Sequence, residues 1–285
     1  MINDSFTNFV DSAFRYKEIL LYFKNVVKLF GLIIVVLYYM KLFTTTIFIL
    51  LIICSKANNI SLLTYNVNYS FINPKVVNII DSINADVVCL QETNAKWEEI
   101  IRNGLKDKYP HIQFRHSGTA GGMATLSKYP IININYLKNT PGWFRAGHIT
   151  IKKEQDTIQL LNVHLKAPLT GRGRIGWNAY FKVDEVHIEE LTQFIKELNP
   201  NLPTIILGDF NESDKGKTIK WLQNEMSFQD ALPLFDKRSK TWRFIILRGR
   251  YDHLFFNNQF SCSNAKVYKL GKSDHLPVFG VFKWK

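Results

Sequence analysis

Six short segments of the sequence each place an acid, an amide or a histidine at the end of an apolar run, where strand ends bring side chains together. The segments read TYNVN, LQET, NVHLKAP, LGDFNE, RGRYDHLFF and KSDHLPVFG. Their polar residues are, in chain order, Asn66, Glu92, His164, Asp209, Asn211, Asp252, Asp274 and His275. Each segment alone is also compatible with a turn or a helix cap. Together these residue types suit phosphodiester hydrolysis, which needs a nucleophilic water, neutralisation of developing charge and help for the leaving oxygen.

The oxygen-bearing side chains in this set predict a magnesium site. Mg²⁺ prefers hard oxygen ligands, keeps several waters and takes only one or two carboxylates from the protein. Glu92 is the best candidate ligand, with Asn66 beside it and Asp274 as a partner that acts through a water. Because acids and amides outnumber histidines at these positions, zinc is disfavoured, and Mn²⁺ is the alternative ion. No organic cofactor is expected.

His275 is the natural general base of the set, because the unperturbed pKa of histidine is about 6.5. A carboxylate partner would fix the tautomer of its ring and raise its basicity. Two other histidines are interpreted as non-catalytic. His253 follows Asp252 in a predicted strand and therefore points to the opposite face, and His187 lies in a predicted amphipathic helix.

The chain after residue 57 alternates short β-rich runs with helices. Strands are predicted over 60–67, 86–90 and 204–207, repeatedly within 112–163, and twice near the C-terminus. Helices are predicted over 74–84, 94–106, 183–198 and 214–225. Mixed strands with helices between them indicate packed sheets covered by helices. We expect this part of the chain to be one domain with a large buried core.

The order and spacing of the six segments resemble the endonuclease/exonuclease/phosphatase superfamily, from about residue 60 to residue 284. LQE, GDFN and the C-terminal SDH occur in the family's order, and HLKAP is similar to the histidine segment of the pancreatic-type deoxyribonucleases. The resemblance implies an α/β fold of four layers, in which two packed mixed β-sheets are flanked by helices. It also implies a metal-dependent phosphoric ester hydrolase. A non-enzymatic binding module is disfavoured, because every acid and histidine of the motif set is present.

The resemblance also implies a role for each remaining polar residue. Asp252 would pair with His275 over the attacking water, and Asp209 and Asn211 would position that water or hold the phosphate. A second scheme makes Asp209 the general base instead, and the sequence leaves both schemes open. His164 would hydrogen-bond a phosphoryl oxygen or protonate the leaving group.

A strongly apolar stretch, residues 29–54, precedes this domain and contains Lys41. Read from Met40, the stretch has the layout of a signal peptide, with a short positive start, an apolar core and small residues at the cleavage position. One hypothesis is therefore that translation starts at Met40 and that the mature chain starts near Asn58. The product would be secreted or periplasmic.

The competing hypothesis keeps Met1 as the start and 29–54 as a membrane anchor. Export is favoured over a cytoplasmic location. In both cases we divide the chain into a leader at 1–57 and an endonuclease/exonuclease/phosphatase domain at 58–285.

The chain is basic, with 36 Lys and Arg against 24 Asp and Glu and a formal net charge of +12. This excess predicts a polyanionic partner, with nucleic acid favoured and an anionic membrane surface as the alternative, although a basic surface can also confer solubility alone. The segment 170–182, TGRGRIGWNAYFK, is interpreted as a loop that offers Arg172, Arg174 and Trp177 for phosphate contacts and base stacking. We expect a monomeric nuclease.

Hydrolysis of lipid headgroups or other small phosphoesters is the alternative function. The 170–182 loop would also suit a lipid interface, because Arg and aromatic side chains sit at headgroup level. A lipid enzyme is expected to carry an apolar hairpin for docking, and for this role the sequence indicates only Trp143-Phe144 and the 177–181 cluster. Thr241-Trp242 resembles a family motif that shapes the cleft, and Trp242 in the core is the alternative.

Overall fold

The computed structural model describes residues 3–54, 59–138, 141–168 and 177–285, with side chains in all of these except 3–19, 47–54 and 177–182. The chain divides into two compact units, Met1–Asn58 and Asn59–Lys285. The second unit contains both large β-sheets, and every buried apolar side chain among the described residues belongs to it. Residues 59–285 are therefore a self-contained folding unit.

The first unit is a single helix, α1, Asn3–Cys54. Its segment Leu20–Thr46 has 27 residues, a mean hydropathy of 2.1 and no buried part. A helix needs about 20 apolar residues to span a bilayer. This segment is long and apolar enough to cross a membrane, and signal sequences near an N-terminus pass the same test. Lys41 lies within the helix and does not end it.

The second unit consists of short strands joined by helices and loops. Its strands are β1 Asn59–Asn66, β2 Val87–Gln91, β3 His111–Arg115, β4 Met123–Ser127, β5 Ile131–Leu137, β6 Ala146–Lys153, β7 Asp156–His164, β8 Thr204–Asp209, β9 Gln229–Asp230, β10 Trp242–Phe244, β11 Leu247–Gly249, β12 Asp252–Phe256, β13 Phe260–Val267 and β14 Val278–Trp284. Its helices are α2 Val76–Ile83, α3 Ala95–Leu105, α4 Trp177–Lys196, α5 Lys217–Asn224 and α6 Leu232–Phe235.

Two six-stranded mixed sheets form the centre of this unit. The first has the strand order β13-β14-β1-β2-β4-β3, and the second has the order β5-β6-β7-β8-β12-β9. One pair in each sheet is parallel, β1 with β2 and β7 with β8, and the other neighbours are antiparallel. Strands β10 and β11 form a separate two-stranded hairpin.

Three apolar clusters hold the sheets and helices in four layers. The first cluster lies between the sheets and combines Ile60 and Leu62 of β1 with residues such as Leu160 and Leu254 of the second sheet. The second packs the outer face of β1, β2 and β4 against α2 and α3, and the third packs the second sheet against α4 and α5. This arrangement confirms the predicted four-layer α/β sandwich.

The central strands read as unbroken apolar runs because both of their faces are buried. Successive side chains of a strand point to opposite faces. Leu62 therefore contributes to the cluster between the sheets, while its neighbour Leu63 packs against the helices on the other side. Sheets covered on both faces carry such continuous runs instead of alternating apolar and polar residues.

Two features of the second unit differ from the prediction. The helix expected over 183–198 begins at Trp177 and ends at Lys196. The segment interpreted as a loop over 170–182 is therefore helical from Trp177 onward, because WNAYFK contains no Gly or Pro to break a helix. Strands β9, β10, β11 and β13 and helix α6 are additional to the predicted elements, since their sequences are very short or show neither clean alternation nor a continuous apolar run.

Candidate active site

The predicted polar residues lie at one edge of the two sheets. Asn66 ends β1 and Glu92 directly follows β2, while His164 ends β7 and Asp209 ends β8. Because β1 and β2 run parallel, as do β7 and β8, each pair presents its C-terminal ends at one edge. The antiparallel strand β12 begins at this edge with Asp252.

His164, Asp209 and Asp252 form one row across three neighbouring strands. The register places His164 opposite Asp209 and Asp209 opposite Asp252, so their side chains point to the same face. All three side chains are buried. The sequence predicted these residues from three separate motifs, and sheet pairing brings them side by side.

Asp209 is the centre of the site. Its Oδ2 accepts a hydrogen bond from Asn66 Nδ2 at 3.0 Å and lies 3.4 Å from His275 Nε2 and 3.6 Å from His164 Nε2. Its Oδ1 accepts the backbone N–H of Asn211 at 2.9 Å. Since Asn66 belongs to the first sheet and Asp209 to the second, their hydrogen bond joins the two sheets at the site.

His275 and Asp252 form a buried histidine–carboxylate pair. The ring nitrogen Nδ1 donates to Asp252 Oδ2 at 2.8 Å, which leaves Nε2 directed toward Asp209. Burial alone would lower the pKa of His275, but the Asp252 and Asp209 carboxylates outweigh it and raise the pKa. Burial also raises the pKa of Asp252, and the interaction with His275 opposes this rise.

His164 presents one ring nitrogen to the same carboxylate from the other side. Its Nδ1 lies 3.2 Å from the carbonyl oxygen of Ala120, an acceptor, so Nδ1 carries the proton of that bond. Its Nε2 faces Asp209 and lies 3.9 Å from Glu92 Oε1. The ring of Phe144 stacks on His164 with centroids 4.4 Å apart, which fixes the orientation of the imidazole.

Glu92 lies beside this group with a carboxylate that is more exposed than that of Asp209. Its side chain is 21% exposed, against 2% for Asp209. Oε1 accepts Asn66 Nδ2 at 3.0 Å and Oε2 accepts the backbone N–H of Tyr69 at 2.9 Å. Its backbone has a φ of +59°, a left-handed conformation that is uncommon for a non-glycine residue and turns the chain sharply after β2.

Asp274 is held by Asn68, which the sequence analysis did not assign to the site, and by Trp242 of the motif that was expected to shape the cleft. Asn68 Nδ2 donates to Oδ1 at 2.9 Å, and the indole N–H of Trp242 donates to Oδ2 at 3.1 Å. Burial would raise the pKa of Asp274, but His275 and these donors outweigh it and lower the pKa. The signal for Asn68 was present in TYNVN, where Asn66 and Asn68 alternate along the chain.

The donor set of the site fits a hard divalent cation. Asp209, Asp252 and His275 have donor atoms within 4.8 Å of one another, and Glu92 adds a more open carboxylate nearby. Asp252 and His275 are already hydrogen-bonded to each other, which leaves Glu92 as the acid best able to take a cation with its waters. Asn66 turns its nitrogen to the carboxylates, because its Oδ1 accepts the N–H of Asn68.

Asn211 shapes the loop between β8 and α5. Its backbone has a φ of +51°, which turns the chain directly after Asp209. Its Nδ2 donates to the carbonyl oxygen of Leu165 at 2.9 Å, so it fixes the segment that follows His164. In this arrangement Asn211 supports the positions of Asp209 and His164.

The remaining predicted contacts concern the substrate. Arg172 and Arg174 lie outside the described residues. Trp177 is the first residue of α4, and its side chain is likewise outside the described part of the chain. The described part of the candidate site is thus the strand edge with its acids, amides and histidines, without these three side chains.

Residues 63–275 match the sequence profile of the Endonuclease/Exonuclease/phosphatase family. This span is most of the chain, so the chain belongs to that family, as the order of LQE, GDFN and SDH predicts. The chain is accordingly a phosphoric ester hydrolase. Enzymes of this family generally depend on a divalent metal ion. No curated protein matches the chain by sequence.

Solved structures share the fold of the second unit at low sequence identity. A functionally unknown conserved protein from Enterococcus faecalis V583 has a TM-score of 0.64 and 16% identity, over 79% of this chain and 100% of that chain. D. rerio TDP2 complexed with single strand DNA product has a TM-score of 0.64 and 14% identity, over 79% and 99%. The human Nocturnin catalytic domain with bound sulfate anion has a TM-score of 0.60 and 16% identity, over 80% and 96%.

Proposed function

We propose that the chain is a Mg²⁺-dependent phosphodiester hydrolase that acts on nucleic acid. The observation that carries this proposal is the convergence of His164 and the His275–Asp252 pair on Asp209, next to Glu92. This geometry offers two imidazole nitrogens and several carboxylates to one small volume. Hydrolysis of a phosphodiester needs such proton acceptors and donors on both sides of phosphorus.

Each side chain then has a defined task. His275 Nε2 and Asp209 Oδ2 lie 3.4 Å apart, where both can orient the attacking water. The proton of that water passes to Asp209 or, when its imidazole is neutral, to His275. Asp252 holds the His275 ring through Nδ1, and Asn66 holds the Asp209 and Glu92 carboxylates in place. His164 Nε2 points to the same space and is positioned to hydrogen-bond a phosphoryl oxygen or to protonate the leaving oxygen.

A Mg²⁺ ion bound by Glu92, with Asp274 acting through water, would neutralise charge on the phosphoryl oxygens. Both acids accept hydrogen bonds that hold their oxygens in fixed positions. Asn66 belongs to this site as the residue that orients Glu92. Mn²⁺ has the same ligand preferences and is expected to substitute for Mg²⁺.

Charge and aromatic residues at the site support nucleic acid as the substrate. The chain has a net charge of +12. Trp143 is 40% exposed beside Phe144, which stacks on His164, and Lys166 Nζ lies 5.4 Å from the Trp143 ring centroid. An exposed aromatic ring with a cation beside it suits a stacked base and its phosphate. Arg172, Arg174 and Trp177 are proposed to extend this contact, and TDP2 with its DNA product shows that this fold accepts such a ligand.

Hydrolysis of lipid headgroups is the second candidate, and one observation favours it. The β10–β11 hairpin exposes an apolar tip, although the sequence had indicated no such hairpin. The hairpin is thus a further candidate for lipid contact, besides Trp143-Phe144 and the 177–181 cluster that the sequence indicated. Trp242 links the base of this hairpin to Asp274.

The test compares substrates directly. Purified residues 59–285 with Mg²⁺ are incubated with single-stranded DNA, duplex DNA, RNA, sphingomyelin vesicles and bis(p-nitrophenyl) phosphate. We expect cleavage of nucleic acid that falls steeply with salt, and loss of all activity in EDTA. Release of a lipid headgroup without cleavage of any nucleic acid would contradict the proposed nuclease and support lipid headgroup hydrolysis, the second candidate. Activity that survives EDTA would contradict the metal requirement.

The location of the enzyme follows from α1. We propose that Leu20–Thr46 directs the chain to a membrane, either as a signal that is removed or as an anchor that stays. The division into a leader at 1–57 and a catalytic domain at 58–285 belongs to this proposal, as does a monomeric state. N-terminal sequencing of the mature protein distinguishes removal near Asn58 from retention of the helix.

A further inference from the structure

The β10–β11 hairpin ends in four consecutive exposed apolar residues. These residues, which we name the apolar tip, are Phe244, Ile245, Ile246 and Leu247, with exposed fractions of 55%, 82%, 85% and 58%. Phe244 and Leu247 are paired across the hairpin, and the two isoleucines form the turn. A soluble domain rarely exposes contiguous apolar residues of this size without a partner surface.

The turn at the apolar tip is unfavourable for the fold itself. Two-residue hairpin turns favour Gly, Asn or Asp, because these residues tolerate a positive φ. Ile245 has a φ of +52°, and a β-branched residue in this region is a genuine outlier. Such a conformation costs on the order of 1–3 kcal/mol. Folding therefore does not explain an isoleucine at this position, and a contact made by its side chain does.

Two arginines border the apolar tip. Arg243 and Arg248 lie directly opposite each other in the register of the hairpin. Like charges at such a cross-strand position destabilise a hairpin. Arg243 Nη2 donates to the carbonyl oxygen of Gly271, and Arg248 is exposed. An anionic surface next to the apolar tip would turn this repulsion into attraction.

We propose that the β10–β11 hairpin is a membrane-docking element, whose apolar tip enters the interfacial layer of an anionic bilayer while Arg243 and Arg248 contact lipid phosphates. An apolar end above a basic border matches the two layers of a bilayer surface, with the acyl chains below the anionic headgroups. A nucleic acid also offers the charge, and single apolar side chains can enter between its base steps. The hairpin instead presents four contiguous apolar residues beyond its arginines, which matches the apolar layer beneath lipid headgroups more closely. The proposal holds for either candidate substrate.

The chain also carries a second element suited to a bilayer. The segment Leu20–Thr46 is long and apolar enough to span one, and residues 47–58 connect it to the catalytic unit.

The base of the hairpin contacts residues of the active site, so the position of a docked hairpin also fixes the position of the active site relative to the lipid surface. The ring of Trp242 stacks on Phe244 with centroids 6.2 Å apart, and its N–H donates to Asp274. A backbone bridge also pairs Trp242 with His275. Docking through the apolar tip would therefore place the mouth of the cleft close to the lipid surface.

The test measures binding of residues 59–285 to sedimenting vesicles of phosphatidylcholine with phosphatidylglycerol. The double variant Ile245→Ser/Ile246→Ser is expected to bind at least about a hundredfold more weakly, because each isoleucine contributes roughly tenfold through its buried area. Arg248→Gln is expected to weaken binding about fivefold at low salt. The matched control is Ile132→Ser, which removes a 56% exposed isoleucine on β5 and should bind like the unchanged domain.

A single substitution separates docking from folding. Ile245→Gly removes both the strained conformation and the side chain, so it is expected to raise Tm and weaken vesicle binding together. Hydrolysis of soluble bis(p-nitrophenyl) phosphate should stay unchanged in all tip variants. A failure of the proposed hydrolytic function would therefore be seen separately from a failure of docking.

Three results would overturn the proposal. The first is vesicle binding of Ile245→Ser/Ile246→Ser that equals that of the unchanged domain. The second is that the unchanged domain does not bind vesicles of any composition, so that the tip substitutions weaken only the binding of nucleic acid. The third is a dimer in sedimentation velocity that the tip variant converts to a monomer, since a second copy would then cover the apolar tip.

Discussion

Strand β12 carries two histidine–aspartate pairs on its opposite faces. Asp252 points into the cleft and accepts His275 Nδ1 at 2.8 Å, while the next residue, His253, points away and donates to Asp230 at 2.9 Å. Both pairs are buried, and nearby carboxylates raise the pKa of both histidines against the effect of burial. By residue type, burial and pKa direction, the two pairs are alike.

The second ring nitrogen distinguishes them. His253 Nε2 hydrogen-bonds the carbonyl oxygen of Glu212 at 3.2 Å, so both of its nitrogens are used by the protein. His275 Nε2 instead faces Asp209 Oδ2 at 3.4 Å, at the strand edge where the other predicted residues meet. A histidine–aspartate pair is therefore a structural element or a catalytic candidate according to where its second nitrogen points.

The largest expected effect is on activity at the cleft pair. His275→Gln should lower kcat/KM for a phosphodiester about a thousandfold, because acid–base groups typically contribute 10²–10⁴-fold. The measurement is steady-state hydrolysis of bis(p-nitrophenyl) phosphate at saturating Mg²⁺. The matched control is His253→Gln, whose folded molecules should keep kcat/KM within a few-fold. Equal losses in both variants would contradict the distinction between the pairs.

The free energy of unfolding should fall more in His253→Gln than in His275→Gln, the reverse of the order expected for activity. His253→Gln leaves Asp230 without its imidazole partner in a fully buried position, and loss of one partner of a buried ion pair costs about 3 kcal/mol. We expect the free energy of unfolding, measured by urea denaturation, to fall by about this amount. His275→Gln should cost less, because burial already raises the pKa of Asp252, so that this carboxyl can take up a proton when its partner is lost. A larger loss for His275→Gln would show that the cleft pair also holds the fold.

Binding of a metal ion should raise Tm in a way that depends on the candidate site residues and not on the His253–Asp230 pair. Mg²⁺ is expected to raise Tm by a few degrees at millimolar concentration, since a ligand that binds the folded state stabilises it. Glu92→Gln should remove this rise, and His253→Gln should preserve it. Glu99→Gln, which changes an exposed acid on α3, is the matched control. A rise in Tm that persists in Glu92→Gln would place the ion on other ligands.

The gathering of the candidate site residues at one strand edge was predictable because it follows from strand geometry. Asn66, His164 and Asp209 each end a strand whose apolar run is buried on both faces, so the sequence indicates where the strand stops and the polar residue begins. Parallel pairing then brings these ends together without further information. The non-catalytic interpretation of His253 followed from the same two-residue period of a strand.

The contacts around Asp274 and the hairpin were not predictable in this way. Asn68 and Trp242 both contact Asp274 but lie 206 and 32 residues before it in the sequence. No local sequence pattern indicates contacts between residues so far apart. The hairpin contradicts the usual turn chemistry, since isoleucines stand where Gly or Asn would mark a turn. Local rules fail here because the side chains of the turn serve a contact outside the fold.

The smallest expected effect is the pH dependence of the structural pair. Burial and Arg250 lower the pKa of His253, but Asp230 and the Glu212 carbonyl outweigh them and raise it above the unfolded value of about 6.5. A raised pKa means that the folded state binds the proton more tightly, so this stabilisation is complete below the unfolded pKa and is lost as the pH rises through the folded pKa.

The difference in free energy of unfolding between the unchanged protein and His253→Gln should therefore be largest at acidic pH. It should narrow in alkaline solution as the imidazolium loses its proton. Urea denaturation of both proteins between pH 5.5 and 10, in one buffer series, measures this difference directly. The sign is diagnostic, because a histidine that the folded state holds neutral has a lowered pKa, and the difference would then widen as the pH rises through the unfolded pKa of about 6.5. A difference that widened with rising pH would therefore mean that His253 is neutral in the folded state and is not an imidazolium.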